Sequence, residues 1–184
     1  LEEIAREGYQ TEEIGLTGGE PFMNPDILEI IRSDLERGFS SLVLTNGMRP
    51  MMRPAIRSGL LKLNTEFSDK LTVRVSVDHF NQVIHEKERG LGSWAPMVEG
   101  LRWLSDNNFQ IAVAGRTLWH ESEEELREGF SLFFKKNEIR EYRYRIQPPR
   151  VVAMTEFKGE ATPSKISDSL KNIRTAIASS GSSS

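Results

Sequence analysis

Short stretches with the composition of β-strands alternate along this chain with longer stretches that have the apolar periodicity of helices. Each predicted strand is followed by a predicted helix, which must cross back over the sheet before the next strand begins. Strands connected in this way lie parallel, because the crossing helix returns the chain to the same edge of the sheet. The chain is therefore predicted to be α/β, with parallel strands and outer helices. The predicted strands are residues 13–17, 42–45, 71–78 and 110–116.

Apolar spacing and capping residues predict helices at residues 1–7, 26–37, 51–58 and 93–106, and a further helix that begins at Ser122. Asn24 is predicted to cap the second helix and Gly38 to end it. Gly59 is expected to end the third helix. Ser122 and Glu125 have the spacing of a capping box, which predicts the start of the last one.

The strand at residues 71–78 separates its side chains into an apolar face and a polar face. The apolar positions are Leu71, Val73, Val75 and Val77, and the polar positions are Thr72, Arg74, Ser76 and Asp78. The same alternation predicts that Leu42, Leu44, Ile111 and Val113 face the helices and that Thr45, Ala112, Ala114 and Arg116 lie opposite. A second face that is small or polar predicts an interior with room for a ligand, because packed barrels fill theirs with bulky side chains. The alternative is an open sheet with one solvated face.

A run of small and turn-forming residues, Thr17-Gly18-Gly19-Glu20-Pro21, lies between the first predicted strand and a helix. It therefore occupies the carboxyl end of a strand, where α/β folds bind their ligands. Gly18 and Gly19 lack a Cβ, so their carbonyl oxygens can approach a ligand closely, and Pro21 restricts the turn. The run predicts a ligand-binding loop, and the alternative is a tight turn without a ligand.

Composition excludes several classes of function. The net charge is −3 and the isoelectric point is about 5.7, so no general positive field attracts nucleic acid or an anionic membrane. No apolar stretch reaches the ~18 residues of a membrane span and no signal peptide opens the chain, so a cytoplasmic location is expected. The absence of cysteine excludes disulfides and thiolate-bound metal within these residues.

Three motifs come in a fixed order at successive strand ends: Gly18-Gly19-Glu20-Pro21, Leu44-Thr45-Asn46-Gly47 and Val75-Ser76-Val77-Asp78. Together they resemble the radical S-adenosylmethionine (radical SAM) superfamily, and the resemblance covers residues 1–134. It implies a partial (β/α) barrel that binds S-adenosylmethionine (SAM). The Ser-x-Asp motif resembles the peptide- and cofactor-modifying branches of the family, although His79 stands where those branches usually have glycine.

The resemblance also implies roles for particular residues. The carbonyls of Gly18 and Gly19 would bind the ammonium of SAM, Glu20 would hold the loop and the ligand, and Ser76 would bind the methionine moiety. Two further residues are inferred from their own chemistry. Arg116 is a candidate cation for the SAM carboxylate, and the alternative is a solvent-exposed arginine at a strand end. Asp78 is a candidate acceptor for the ribose hydroxyls, and the alternative is that it starts the loop that follows. The predicted cofactor-binding residues are Gly18, Gly19, Glu20, Pro21, Thr45, Asn46, Ser76, Asp78 and Arg116.

In the family, a Cys-x3-Cys-x2-Cys loop after the first strand holds a 4Fe-4S cluster, and this chain has no cysteine. The expectation is a core that begins after that strand and its loop, so that the chain alone does not cleave SAM reductively. With the cluster, the resemblance implies a 5′-deoxyadenosyl radical that abstracts hydrogen from an unidentified small molecule or peptide, and an electron donor as partner. No catalytic residue and no metal ligand is assigned within the chain.

Other interpretations stay open at this point. The chain is alternatively a degenerate SAM- or nucleotide-binding module without redox chemistry, or an α/β interaction domain that binds no cofactor. His79, His85, Glu86 and His120 raise the question of a metal site, but they lack the spacing of known histidine motifs. The charged segment 81–92 is predicted to be a solvated loop.

The pattern changes towards the carboxyl end of the chain. Tyrosines alternate with arginines at 142–146, which predicts one more strand, and apolar spacing at 166–177 predicts a modest helix. The serine-rich residues 179–184 are predicted to be a disordered tail. The predicted domains are a barrel core at residues 1–147, a connection and helix at 148–178, and that tail.

Overall fold

A computed structural model describes residues 11–116 and 121–140 of the chain. Its strands are β1 (Glu13–Leu16), β2 (Ser40–Thr45), β3 (Leu71–Ser76) and β4 (Gln110–Ala114). Its helices are α1 (Ile27–Glu36), α2 (Arg49–Met52), α3 (Pro54–Phe67), α4 (Gln82–Arg89), α5 (Trp94–Asp106) and α6 (Glu123–Lys136), with a 3-10 turn at Pro21–Met23. None of the helices within these described ranges is long and apolar enough to cross a membrane.

The four described strands form one sheet in the order β1-β2-β3-β4, and every neighbouring pair is parallel. Helices occupy each connection between successive strands. The predicted α/β class with parallel strands and outer helices is confirmed. The carboxyl ends of all four strands therefore meet at one edge of the sheet, which is where the sequence motifs lie.

The two faces of the sheet differ in burial as the alternation of β3 predicts. The side chains of Leu71, Val73 and Val75 are fully buried beneath the helices, whereas Thr72 and Arg74 are half-buried on the opposite face. We call this opposite face the inner face. Its members, read from the strand register, include Leu42, Leu44, Thr72, Arg74, Ser76, Ala112 and Ala114.

The predicted orientation of β2 is wrong by one residue. The register pairs Val43 with Val73 and Thr45 with Val75, so Val43 and Thr45 face the helices. Leu42 and Leu44 consequently lie on the inner face, which is partly apolar rather than uniformly small or polar. The sequence misleads here because the helix-covered side of β2 includes the polar Ser41 and Thr45, both of which are buried. The predictions that Ile111 and Val113 face the helices are confirmed, since they pair with Val73 and Val75.

The ends of α1 agree only in part with the prediction. Gly38 ends the helix with a φ of +91°, as expected of a left-handed cap. The amino-terminal cap is Asp26 rather than Asn24, because a 3-10 turn occupies the residues before it. The Asn24 Oδ1 accepts a hydrogen bond from the Asp26 amide at 2.9 Å and so stabilises this turn instead.

The predicted helix at residues 51–58 is replaced by two helices, α2 and α3. Pro54 begins α3, where a missing amide costs nothing, so it does not interrupt a helix. Gly59 lies inside α3 rather than ending it. A Cβ at Gly59 would lie 2.3 Å from the Leu28 Cδ1, which shows that glycine permits the close packing of α1 against α3.

The segment at residues 81–92 forms helix α4 rather than a solvated loop. The Asn81 Oδ1 accepts hydrogen bonds from the amides of Val83 and Ile84, which caps the start of the helix. Gly90 ends it with a φ of +96°. The charged composition suggested a loop, but the pair of Asn81 and Gly90 is a readable helix signal.

The remaining helices confirm their predicted starts. Helix α5 begins at Trp94 after Ser93, and α6 begins after the capping box of Ser122 and Glu125. The predicted helix at 1–7, the strand at 142–146, the helix at 166–177 and the tail lie outside the described residues. The proposed domain boundary after residue 147 lies there as well and stays a prediction.

Candidate cofactor-binding site

The loop after β1 has a backbone that other residues rarely adopt. Gly18 has a φ of +108° and Gly19 a φ of +21°, and both residues are exposed. Only glycine reaches such conformations without strain. In the described part of the chain, no donor contacts the carbonyl oxygen of either glycine. The loop therefore offers two free acceptors at the edge where the strands end.

The Glu20 carboxylate joins the loop after β1 to the end of β2. Its Oε1 accepts hydrogen bonds from the Thr45 hydroxyl at 2.8 Å and from the Phe22 amide at 3.2 Å, and its Oε2 accepts one from the Asn46 amide at 2.8 Å. Three donors thus hold one half-buried carboxylate. Glu20 fixes the position of the glycine loop relative to the neighbouring strand, with both of its oxygens already bound.

The end of β2 is held equally closely. The Thr45 hydroxyl also accepts a hydrogen bond from the Gly47 amide at 3.0 Å, and its side chain is 2% exposed. The Asn46 Oδ1 accepts one from the Met48 amide at 2.9 Å. Thr45 therefore lies beneath the site and supports it through Glu20 and Gly47. Asn46 is half-buried at its surface.

Helix α5 supports this loop from behind through a glycine. A Cβ at Gly100 would lie 1.9 Å from the Gly47 carbonyl oxygen, which is too close for two non-bonded atoms. Gly47 itself has a φ of +71°. The path of the loop after β2 therefore depends on two glycines that are far apart in the sequence.

The ends of β3 and β4 carry a network of charges. Both oxygens of the buried Asp78 bind Arg89 at the end of α4, with Oδ2 2.8 Å from Nε and Oδ1 3.0 Å from Nη2. The Arg116 Nε lies 3.4 Å from the same Oδ1, and the Arg116 Nη1 lies 3.4 Å from the Glu88 Oε2. Asp78 and Arg116 thus contact each other, and both are already neutralised by protein charges. Ser76 ends β3 on the inner face, half-buried, beside Ala114.

His79 follows directly and connects β3 to the segment after β4. Its Nδ1 accepts a hydrogen bond from the Asn81 amide at 2.8 Å, so the proton must be on Nε2. Nε2 then donates to the Glu121 Oε1 at 2.8 Å. This hydrogen bond lowers the pKa of the Glu121 carboxyl below its ordinary value. Both ring nitrogens are used structurally, which argues against the metal-site interpretation of His79.

His85 has a different environment. It is 1% exposed, lies edge-on to the Trp94 ring at 5.5 Å, and burial lowers the pKa of its imidazole. His85 is therefore a neutral residue of the protein interior. His120, the third histidine considered at the sequence level, lies outside the described residues.

An open cleft of about 380 Å³ lies beside Asn46. Its volume is that of a small-molecule site. Glycines and arginines contribute much of its lining, which consists of Asn46, Met48, Arg49, Pro50, Arg89, Gly90, Leu91, Gly92, Ser93 and Pro96. The connection between α4 and α5 therefore forms one wall of a space next to the motif residues.

The predicted site residues fall into two groups. Glu20, Thr45 and Asn46 are in direct contact at the ends of β1 and β2, and Asp78 and Arg116 are in direct contact at the ends of β3 and β4. Sequence reasoning missed Arg89, which neutralises Asp78, because it lies on the helix that was expected to be a loop. It also missed the contact of His79 with Glu121, for which the sequence offers no local signal.

Comparison with known proteins decides the family. The model of the Radical SAM superfamily matches residues 1–133. The chain belongs to the radical SAM superfamily. Among its relatives, the antilisterial bacteriocin subtilosin biosynthesis protein AlbA of Bacillus subtilis (strain 168) is 32% identical over 100 residues, 54% of this chain. The AdoMet-dependent heme synthase of Methanosarcina barkeri is 30% identical over 118 residues, 64% of this chain.

This radical SAM chain spans only part of those relatives, with the matches covering 21% of AlbA and 32% of the heme synthase. Solved structures agree on the fold. Streptococcus suis SuiB superimposes with a TM-score of 0.55 at 14% identity, over 92% of this chain and 37% of SuiB. SuiB bound to S-adenosylmethionine gives 0.51 at 14% identity, over 91% of this chain and 35% of SuiB. SuiB bound to the precursor peptide SuiA superimposes with a TM-score of 0.50 at 14% identity, over 69% of this chain and 27% of SuiB. The predicted partial barrel is consistent with these neighbours.

Proposed function

We propose that this chain is the SAM-binding core of a radical SAM enzyme. The observation that carries the proposal is the loop after β1, where Gly18 and Gly19 present free carbonyls and Glu20 fixes their position. A primary ammonium carries three donors and no acceptor, so it matches a pair of backbone carbonyls. The fit is one of chemistry: the residues present suit the ammonium of SAM.

The other strand ends complete the proposed site. Ser76 lies on the inner face, and its proposed role is to bind the methionine moiety. Asn46 lies at the surface next to the cleft. We assign Thr45 and Pro21 to the support of the loops, because both are buried. Asp78 has both oxygens bound by Arg89, so its proposed contribution is to hold Arg116 at the edge of the site rather than to contact the ribose alone.

The proposal includes a 4Fe-4S cluster, whose cysteine ligands this chain does not contain. If cysteines outside these residues held a reduced cluster, the cluster would supply the one electron that cleaves SAM to methionine and the 5′-deoxyadenosyl radical used for hydrogen abstraction. The proposed role of the residues described here is to bind and orient SAM, and none of them needs to act as an acid or a base. An electron donor is part of the proposal.

The substrate class and location are proposed from the relatives. AlbA is a bacteriocin biosynthesis protein, and SuiB is known bound to a precursor peptide. These two names support a peptide substrate, and the name of the heme synthase relative supports a small molecule, so the proposal keeps both classes. The net charge of −3 disfavours nucleic acid and anionic membranes as partners. A cytoplasmic location is proposed, since reducing conditions preserve iron–sulfur chemistry.

A second candidate is a SAM-binding module without redox chemistry, and the absence of cysteine favours it. One experiment separates the two from an inert domain. Calorimetry of the full chain is expected to detect SAM binding, and to detect much weaker binding of 5′-methylthioadenosine, which lacks the ammonium and the carboxylate. Failure of SAM to bind at about 1 mM, an affinity of only about 4 kcal/mol, would contradict both candidates.

Activity needs a separate test. The chain is mixed anaerobically with iron, sulfide and dithionite, and then with SAM. Because it has no cysteine, we expect no 5′-deoxyadenosine, and formation of that product would show that the chain binds a cluster by other ligands.

A further inference from the structure

Arg74 occupies an unusual place in this sheet. It lies in the middle of β3, an interior strand, and the register pairs it with Leu44 on one side and Ala112 on the other. Because Val73 and Val75 face the helices, Arg74 projects from the inner face. It is half-buried there. The Cα of Arg74 thus lies in the middle of the sheet rather than at the strand ends.

No carboxylate in the described residues neutralises it. Within residues 11–116 and 121–140, the Arg74 guanidinium makes no hydrogen bond and no ion pair. Glu13 shares its face, but its Cα lies two strands across and four residues along the sheet from Arg74, roughly 16 Å away by strand rise and spacing. Asp78 is four residues further along the chain, roughly 13 Å away at strand rise, and is bound by Arg89.

The other arginines near the site behave differently. Arg89 and Arg116 both contact described carboxylates, so their charges are already balanced. Arg74 lies between the small Ala112 on the β4 side and the larger Leu44 on the β2 side, and Ser76 lies two residues on. A half-buried guanidinium without a protein counter-charge is suited to bind an anion that reaches the same face. Ala112 and Ser76 add little bulk on the β4 side of Arg74.

We propose that Arg74 binds a carboxylate of a ligand held on the inner face. The planar guanidinium matches a carboxylate with two parallel hydrogen bonds. Two molecules carry the group: SAM through its methionine carboxylate, and a second molecule, the substrate, through a carboxylate of its own. The inference rests on the proposed function for the identity of this ligand, whereas the anion-binding role of Arg74 rests on the sheet alone.

The first arm of the test reads Arg74 directly. The full chain is labelled with 15N-arginine, and the Nε–Hε signal of Arg74 is assigned by its loss in Arg74→Lys. The signal is followed during titration with SAM, with decarboxylated SAM, and with succinate in the absence and presence of saturating SAM. A shift with SAM but not with its decarboxylated form assigns the SAM carboxylate, and a shift with succinate in the presence of saturating SAM assigns a second molecule.

The second arm measures affinity by calorimetry. Arg74→Met is expected to weaken the ligand that shifts the signal about ten- to a hundredfold, the effect of a lost charge-assisted hydrogen bond, and Arg74→Lys is expected to weaken it less. Arg127→Met removes the same charge on the outside of α6 and is expected to change nothing. Circular dichroism checks that each variant folds. The 15N-arginine titration of the wild-type chain stays informative even if Arg74→Met does not fold.

The outcomes separate this inference from the proposed function. If SAM does not bind to the wild type but succinate shifts the Arg74 signal, the proposed function fails and the anion site stands. If SAM binds equally to wild type and Arg74→Met, and neither SAM nor succinate moves the signal, the anion site is overturned and the proposed function stands.

Discussion

The two halves of the candidate site are held together by different forces. At the β1–β2 edge, residues 17–20 and 45–47, neutral donors surround the single carboxylate of Glu20 and leave the glycine carbonyls free. At the β3–β4 edge, residues 76–79 and 116, Asp78 binds two arginines and His79 binds Glu121. The first edge therefore presents unused acceptors to a ligand, whereas the second largely satisfies its own charges. This difference teaches that a motif residue near a site can serve the ligand or the scaffold.

Asp78→Asn is expected to have the largest effect. It removes the charge of a buried carboxylate and leaves the half-buried Arg89 without its counter-charge, and the lost charge-assisted hydrogen bonds cost about 3 kcal/mol. Chemical denaturation at low and high salt measures the loss, which salt should reduce because ions screen the remaining arginines. Glu123→Gln, at an exposed ion pair, is the matched control and is expected to cost under about 0.5 kcal/mol. If Asp78→Asn lowered the free energy of unfolding by no more than the control does, the charge network would not stabilise this edge.

Glu20→Gln tests the other edge. The glutamine side chain has an NH2 group in place of one carboxylate oxygen, and this donor faces the Thr45 hydroxyl or the Asn46 amide, which are donors themselves. The lost hydrogen bond lowers the free energy of unfolding by about 2 kcal/mol. This loss of unfolding free energy should depend little on salt, because the hydrogen-bond partners of Glu20 are neutral. The same substitution should also weaken SAM binding. Glu12→Gln, an exposed carboxylate before the same strand, is the control. Equal salt dependence for Glu20→Gln and Asp78→Asn would erase the distinction between the edges.

The pH dependence of stability sharpens the comparison at the β3–β4 edge. Burial lowers the pKa of His85, so the folded state favours the neutral imidazole while Asp78, Arg89 and Glu86 act on it from nearby. The contribution of His85 to the free energy of unfolding is therefore complete at pH values above the unfolded pKa of about 6.5. As the pH decreases below about 6.5, this contribution decreases by up to about 1.4 kcal/mol per pH unit. Denaturation between pH 7.5 and about 5 should show this decline, and His85→Phe should flatten it. A decline that persists unchanged in the variant would place its origin elsewhere.

Asp34 on α1 is expected to give the smallest effect, with the opposite sign. Burial raises the pKa of its carboxyl, so this group stabilises the fold only when protonated and loses that contribution as the pH rises through the folded pKa. At pH 7, Asp34→Asn should therefore raise the free energy of unfolding by about 1 kcal/mol. Thermal denaturation measures it, and a lower melting temperature would show that the hydrogen bond of the ionised carboxylate with Ser41 outweighs its burial.

Some of this structure follows from local sequence, and some does not. The alternation in β3, the left-handed cap at Gly38 and the capping box at Ser122 are local, and each is confirmed. The orientation of β2 is not local, because both of its faces carry apolar side chains and only pairing with β3 decides between them. Helix α4 is not predicted from the sequence, because the charged composition of residues 81–92 favours a loop and the capping residues Asn81 and Gly90 are not considered.

The same limit applies to the site. The motifs located the strand ends, but their partners are distant in sequence: Glu20 binds Thr45 across 25 residues, and His79 binds Glu121 across 42. Arg89 could not be assigned to Asp78 without knowing that α4 folds back over the end of β3. Sequence therefore predicts which residues lie at the edge, and the fold decides which of them remain free for a ligand.

The most direct test of the account compares two glycines. Gly18 and Gly38 have similar φ angles, +108° and +91°, and a Cβ at either would contact nothing within 4 Å. Alanine at each position should therefore cost similar stability, but only Gly18 lies at the proposed site. Gly18→Ala is expected to weaken SAM binding at least about tenfold in calorimetry, about 1.4 kcal/mol, while Gly38→Ala is expected to bind like the wild type. Equal SAM affinity in the two variants would contradict the claim that this loop holds the cofactor.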